Sequence, residues 1–291
     1  MDASTLSSGK GHRDENFPVA SLLVRKRHRP VILAFYRFAR TADDVADHAS
    51  AKPNGKLHIL ERMWRTLQGE AEDSPEAEAL RRYLLERNLT AQHGLDLLEA
   101  FRRDVTKLRY RNWDELMDYC RYSAAPVGRF VLEVHGESRA TWPASDALCT
   151  ALQVINHLQD CGKDYRVLDR VYLPLDLMNE TGADVASLGA SHASPPLREA
   201  ISRLAVGTQR LLAQSRIFAA QIRDRRLALE VGVIQRLAED LARRLIARDP
   251  LSERVHHRLP ETILLALSGG AEVLSNRYRR RSSQRTRAAT A

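Results

Sequence analysis

The residues most able to do chemistry are two pairs of aspartates. Asp43 and Asp47 stand four apart in Arg40-Thr41-Ala42-Asp43-Asp44-Val45-Ala46-Asp47. Asp160 and Asp164 repeat that spacing in Gln159-Asp160-Cys161-Gly162-Lys163-Asp164. On a helix, residues four apart project together, one turn apart. Each pair closes an apolar segment instead of lying on a polar face. Aspartate is a weak helix former and a helix C-terminus disfavours anions, so this placement needs an offsetting cation. A lone aspartate pair is ordinarily a solvated face; two in the same setting read as facing walls of one acidic site. Converging carboxylates repel by up to ~4 kcal/mol per pair at ~4 Å and an effective dielectric near ~20. A hard divalent cation relieves that repulsion, and oxygen ligands select Mg²⁺ over zinc. Mg²⁺ keeps several waters and bridges carboxylates to phosphate, so a diphosphate between the walls is the expected substrate group. Asp44 adds an acid to the first wall. Arg40, three positions before Asp43, could hold phosphate by a forked pair of bonds. Asn156, four before Asp160, offers a metal-binding carbonyl. Their plain alternatives are a surface ion pair and a buried amide bonded to backbone.

The elements that position these walls read as helices. Apolar residues recur at three and four almost everywhere and strand signals are nearly absent, so the fold class is all-α, a single helical bundle. A short helix is expected over Val19 to Arg27, and the next from Val31 to Asp47, opened by Pro30. Pro53-Asn54-Gly55 reads as a turn. Helices follow near 56–68, 75–88 and 91–108. A long segment from Trp113 to His135 is broken by Ser123-Ala124-Ala125-Pro126-Val127-Gly128, because an internal proline removes a backbone bond. The second aspartate pair rides a helix over 145–163, followed by an extended Arg170–Pro174. A loop over 182–196 precedes helices near 197–222, 226–247 and 260–276. Residues 1–14 read as a disordered N-terminus, 15–276 as one domain and 277–291 as a basic disordered tail.

Composition narrows the setting. The chain has 291 residues, 44% hydrophobic and 28% charged, which is ordinary for a soluble globular protein. No run approaches the ~18 apolar residues that span a bilayer, and the polar first ten residues lack the apolar core of a secretory signal. Three scattered cysteines fit a reducing cytosol better than a disulfide framework. A cytoplasmic location is expected. The net charge of +8 admits nucleic acid, an anionic membrane or an acidic substrate as partner. Part of the excess lies in Arg277-Tyr278-Arg279-Arg280-Arg281, read first as a solvated end and second as a peripheral membrane contact. The cations are not interleaved with stacking aromatics, so nucleic acid is not expected.

Five blocks of this sequence resemble the squalene/phytoene synthase family of head-to-head prenyl synthases. They are Glu15-Asn16-Phe17-Pro18-Val19-Ala20-Ser21, Phe38 to Asp47, Tyr119 to Arg129, Gln153 to Asp164, and Arg170-Val171-Tyr172-Leu173-Pro174. They fall in the family's order over about Asn16 to Pro250, and look most like its hopanoid-associated hydroxysqualene synthase branch. The resemblance implies the isoprenoid synthase fold around a central cavity, with Asp43, Asp47, Asp160 and Asp164 holding Mg²⁺ around a diphosphate. Asp44, Arg40 and Asn156 match neighbouring positions that assist. Two departures stand out. Gln159 occupies a substrate-binding position where many members have arginine. The stretch after Cys120 reads Ser123-Ala124-Ala125-Pro126 where condensing members usually have Val-Ala-Gly.

The implied reaction is metal-assisted ionisation of presqualene diphosphate and capture of the rearranged cation by water, giving hydroxysqualene. No hydride donor is needed, and no Gly-rich nucleotide loop is evident. Dry aromatic and apolar walls are expected from Phe17, Phe35, Phe38, Val127 and Phe130, each of which also reads as plain core. Tyr119, Tyr122, Ser123 and Tyr172 are candidates to orient water or diphosphate. The nearest alternative is condensation of two farnesyl diphosphates to presqualene diphosphate, squalene or a carotenoid precursor. A di-iron bundle would need paired Glu-x-x-His motifs, and only Glu253-Arg254-Val255-His256 fits.

Overall fold

The structure, a computed structural model, describes residues 24–289, with side chains to residue 275. The expected N-terminal segment, most of the Val19–Arg27 helix, and Phe17 lie outside the described residues. The described chain runs as α1 (Arg29–Asp47), α2 (Pro53–Gln68), α3 (Pro75–Arg87), α4 (Gln92–Thr106), α5 (Trp113–Ser123), α6 (Ala125–Val134), α7 (Trp142–Leu168), α8 (Leu175–Thr181), α9 (Pro195–Ser215), α10 (Phe218–Gln221), α11 (Arg225–Ala247) and α12 (Leu259–Ala289). The only strand-like pairing among described residues is a parallel bridge between Arg109 and Val171.

Proline sets many of the starts. It lies in the first turn of α1, α2, α3, α6, α7 and α9, where its missing N–H would have no helical partner anyway. This explains one departure from expectation: Pro53-Asn54-Gly55 is the first turn of α2, not a free turn. Pro126 divides the expected long segment into α5 and α6, as its chemistry requires. Further differences concern ends. α7 begins at Trp142 and runs past Asp164 to Leu168; α8 occupies a stretch with no helix expected; α10 is separate from α9; and α12 takes in 277–289, the segment expected as a loose tail.

The buried apolar residues form two clusters. One joins α1–α4 and part of α6, with Val31, Phe35, Phe38, Leu60, Met63, Leu80, Leu98 and Phe130. The other joins α5, α7, α9 and α11, with Leu116, Leu132, Leu148, Ile155, Leu158, Leu204 and Leu241. α4 and α6 contribute to both, through Leu98 and Ala100 and through Phe130 and Leu132. The first aspartate pair ends a helix of one cluster; the second lies on a helix of the other. The seam between the clusters therefore holds the site. No helix among the described residues is long and apolar enough to cross a membrane.

Candidate active site

A cavity of about 250 Å³ lies on that seam. Asp43 and Asp47 reach it from α1, and Asp104 from α4. Tyr119 and Ser123 reach it from α5, and Gln153, His157 and Asp164 from α7; Arg170 and Tyr172 come from the segment after α7. Phe101 and Leu168 complete the lining. The two expected walls thus meet across one space.

Asp169 makes this convergence possible. It adopts the left-handed conformation (φ 52°), which ends α7 and reverses the chain. Its carboxylate accepts from Arg109, and Val171 then runs beside Leu108, donating to its carbonyl at 2.9 Å. Arg170 is left pointing into the seam, 5% exposed. Its guanidinium donates to the carbonyl of Asp104 at 2.9 Å, to the carbonyl of Ala46 at 3.0 Å, and to the Asp47 carboxylate. Lys56 also donates to the Ala46 carbonyl, at 2.9 Å. The C-terminus of α1 is therefore capped by two cations, which offset the unfavourable placement of its acids. The sequence reading assigned that offset to a metal alone.

Asp104 is the second organiser. Its two carboxylate oxygens accept from the hydroxyls of Tyr119 (2.9 Å) and Tyr172 (2.8 Å). Burial raises the Asp104 carboxyl, with Arg170 and the Tyr172 hydroxyl pulling it back. Burial, and then the Asp104 charge, raises both phenols well above their ordinary range. Tyr119 and Tyr172 therefore keep their protons and present only lone pairs to the cavity. His157 stacks on Tyr172, ring centroids 3.5 Å apart, with Nδ1 4.0 Å from the Asp164 carboxylate. Ser123 stands four residues after Tyr119 on the same helix face. Its hydroxyl is buried and has no hydrogen-bond partner among the described residues.

The remaining candidates divide. Asp160 shares the face of α7 that carries Gln153, His157 and Asp164 but does not line the closed part of the cavity, and its charge acts on His256. Asn156 does not line it either. Asp44 is buried and takes Arg40 at 2.6 Å, while Arg40 also reaches Asp43 at 3.0 Å. Arg40 is thus engaged with carboxylates rather than standing open to phosphate. Gln159 is buried away from the cavity and donates to the carbonyl of Val255. The expected apolar walls are elsewhere. Phe35 stacks on Phe130 in the first core at 3.9 Å, Phe38 is wholly buried, and Val127 is 42% exposed. Tyr122 lies under the Arg103 guanidinium, 4.2 Å from its ring centre.

Sequence reasoning missed Asp104, Arg170, Gln153 and His157 as site residues. Asp104 had a readable signal: it continues the buried spacing Leu97, Ala100, Asp104, an acid where the stripe calls for an apolar residue. His157 lies between the residues of the second block at the spacing of its own helix face.

Among the described residues, no three acids, histidines or cysteines are already gathered as a metal cluster. The donor set nevertheless suits a hard cation. Asp43, Asp47, Asp104 and Asp164 face the cavity with Arg170 the sole lining cation among the described residues, and Asp43 is raised by burial first and then by the neighbouring Asp47 charge. Mg²⁺, which keeps its waters and bridges to substrate phosphate, needs no all-protein cage. A larger recess of about 300 Å³ lies among the end of α9, α10, α11 and α12. There Glu239 is matched by Arg216 and Arg236, leaving no comparable excess of charge.

An all-helical bundle with acids from α1, α4 and α7 facing a buried polar cavity is the architecture of the isoprenoid synthase class. The squalene/phytoene synthase family model matches residues 11–261, and the chain belongs to that family. It is 59% identical to the hydroxysqualene synthase of Zymomonas mobilis, over 93% of this chain and 92% of that one. It is 58% identical to the hydroxysqualene synthase of Rhodopseudomonas palustris, over 90% of each. A solved squalene synthase from Alicyclobacillus acidocaldarius superposes with a TM-score of 0.69 and 34% identity, covering 84% of this chain and 90% of that one. The expected all-α isoprenoid synthase fold is borne out. Enzymes of this family act on prenyl diphosphates and generally depend on a divalent metal.

Proposed function

We propose that this chain converts presqualene diphosphate and water to hydroxysqualene and diphosphate, with Mg²⁺ as its metal. The observation that carries the reading is the pairing, in one cavity, of an acid-rich wall with two hydroxyls on one face of α5. Asp43, Asp47 and Asp164, with Asp160 beside them, would hold the metal. When bound, Mg²⁺ supplies positive charge to the departing diphosphate. The carbon–oxygen bond breaks and its electron pair leaves with the diphosphate. The cyclopropylcarbinyl cation rearranges, a water oxygen adds to it, and one proton is lost. Arg170 keeps Asp47 oriented throughout, and Asp104 fixes the two tyrosines. Ser123 and the Tyr119 lone pairs seat the water, since Ser123 has bonding capacity unused among the described residues. His157, stacked on Tyr172 and close to Asp164, shields one side of the seat from solvent.

Gln159 weighs against the condensation of two farnesyl diphosphates. A second diphosphate calls for a further cation where many relatives carry arginine, and here a neutral amide is spent on a backbone carbonyl. The relatives named hydroxysqualene synthase support the same choice. The test is incubation of purified protein with Mg²⁺ and either diphosphate, without NADPH, in H₂¹⁸O. Hydroxysqualene carrying one ¹⁸O from presqualene diphosphate supports the reading. Turnover of farnesyl diphosphate alone, or an unlabelled product, overturns it. The proposed place of work is the cytoplasmic side of a membrane, touched peripherally.

A further inference from the structure

Helix α12 is apolar on two faces. One packs on α11, where Gly232 and Gly269 let the backbones approach. A Cβ on Gly269 would stand 2.6 Å from the Gly232 carbonyl oxygen, and Val273 is buried beside them. The other face turns away from the protein. Ile263, Leu264, Leu267 and Leu274 are 52%, 69%, 68% and 59% exposed. With Pro260 and Ala271 they recur at three and four and so form one stripe. A surface helix ordinarily shows charge on the side it does not bury; this side shows none. From Ile263 to Leu274 the stripe runs about 17 Å at 1.5 Å per residue. A contiguous exposed apolar surface of this kind marks a contact site.

The chain itself indicates the occupant. The helical backbone continues beyond the stripe to Ala289. That continuation contains Arg277, Arg279, Arg280, Arg281, Arg285 and Arg287 and no Asp or Glu. A partner fitted to the whole element must offer an apolar interior and an anionic surface side by side, as an anionic bilayer does. We infer that α12 docks the enzyme on an anionic phospholipid membrane, its stripe entering the headgroup region and its arginine block supplying the anion contacts. The inference rests on the proposed function only for the lipid character of substrate and product.

The test is cosedimentation of the full chain with vesicles of phosphatidylcholine, alone or mixed equally with phosphatidylglycerol. Binding should require phosphatidylglycerol and weaken with added salt. Replacing Arg279, Arg280 and Arg281 together by Gln should weaken it about 100-fold, from ~1 kcal/mol for each basic residue at an anionic surface. Ile263→Gln with Leu267→Gln should weaken it about tenfold or more, from the apolar area lost. Both variants should turn over detergent-dispersed presqualene diphosphate at the wild-type rate. Absence of vesicle binding, equal binding to phosphatidylcholine alone, or undiminished binding of the Ile263/Leu267 variant would overturn the inference. So would a solution dimer that this variant converts to monomer while vesicle binding persists, which would assign the stripe to a second copy. Vesicle binding by a protein that converts no presqualene diphosphate would leave the docking intact and remove the functional proposal instead.

Discussion

The seam makes Arg170→Lys the most informative substitution. The native guanidinium serves three acceptors on two elements: the Asp104 carbonyl on α4, and the Ala46 carbonyl and Asp47 carboxylate on α1. A lysine ammonium keeps the charge but lacks the planar fork, so it can satisfy about one of the three in that space. Each lost bond from a charged donor is worth roughly 1.5 to 3 kcal/mol, and the orphaned carbonyls are buried. The expected loss is about 3 kcal/mol, read as a lower urea midpoint with an unchanged slope. In a chain of this size that corresponds to a fall of roughly 5 to 10 °C in Tm. Asp47 would also lose its fixed orientation, and a displacement of ~1 Å at such a group commonly costs ~100-fold in rate. Unfolding should be measured with EDTA and with Mg²⁺, and kcat/KM with presqualene diphosphate. A Tm within about 1 °C of wild type, together with unchanged kcat/KM, would refute the reasoning, because the three contacts could not then be joining α1 to α4.

Four further outcomes are expected. Ser123→Ala should fold normally and lose the water-captured product by about tenfold or more, with other lipids appearing in the extract; an unchanged product profile by mass analysis removes Ser123 from the water seat. Asp43→Asn should abolish turnover yet raise Tm in EDTA near neutral pH, because burial and the Asp47 charge raise Asp43 to about 8, so the wild type must take up a proton on folding that asparagine does not need; the gap should be widest above pH ~8 and close as the pH falls to ~4, where Asp43 is protonated in the unfolded chain as well. His28 is held at about 4, by burial first and then by the charge of His135. It takes up a proton on unfolding between its ordinary value and that one, so stability is full above pH ~6.5 and falls towards pH ~4 by up to about 3 kcal/mol, a slope that His28→Gln should flatten in urea titrations. Gly269→Ala should destabilise by about 1 to 2 kcal/mol, because its Cβ meets only backbone of α11, whereas Gly270→Ala, with nothing within 4 Å, should stabilise by about 0.5 to 1 kcal/mol through helix propensity; thermal melts of the pair read the opposite signs directly.

What could be read from the sequence follows from how local each signal is. Helices announced themselves through spacing, and Pro30 and Pro126 fixed two of their starts. Pro53-Asn54-Gly55 misled because the same three residues suit a free turn and a first helical turn; only packing of α2 decides between them. The spacing of the aspartate pairs was legible because both residues of each lie on one helix face, and three of the four, Asp43, Asp47 and Asp164, line the cavity. Arg170 and Asp104 were not, because their roles depend on partners far along the chain, Ala46, Asp47, Tyr119 and Tyr172. Gln159 and Phe35 lie off the cavity for a related reason. Each lies next to a block that carries the chemistry, but the rotation of its helix sends the side chain into packing or onto a backbone carbonyl.

The position of the site between two apolar clusters has an energetic meaning. Each cluster can bury its own helices without the other, but neither can bury four aspartates. The charges therefore collect where the clusters meet, and the contact between them is polar. Such a seam contributes little hydrophobic stabilisation. It is held instead by directional bonds from one arginine and two phenols, each of which loses its partners if the halves separate. Directional bonds tolerate little sliding, so the acids keep their relative positions although they repel. Filling the seam with apolar residues would raise stability and remove the excess negative charge that attracts a divalent cation. The strain of such a seam and the pull it would exert on a divalent cation thus have one source, the surplus of carboxylates over Arg170 among the described lining residues.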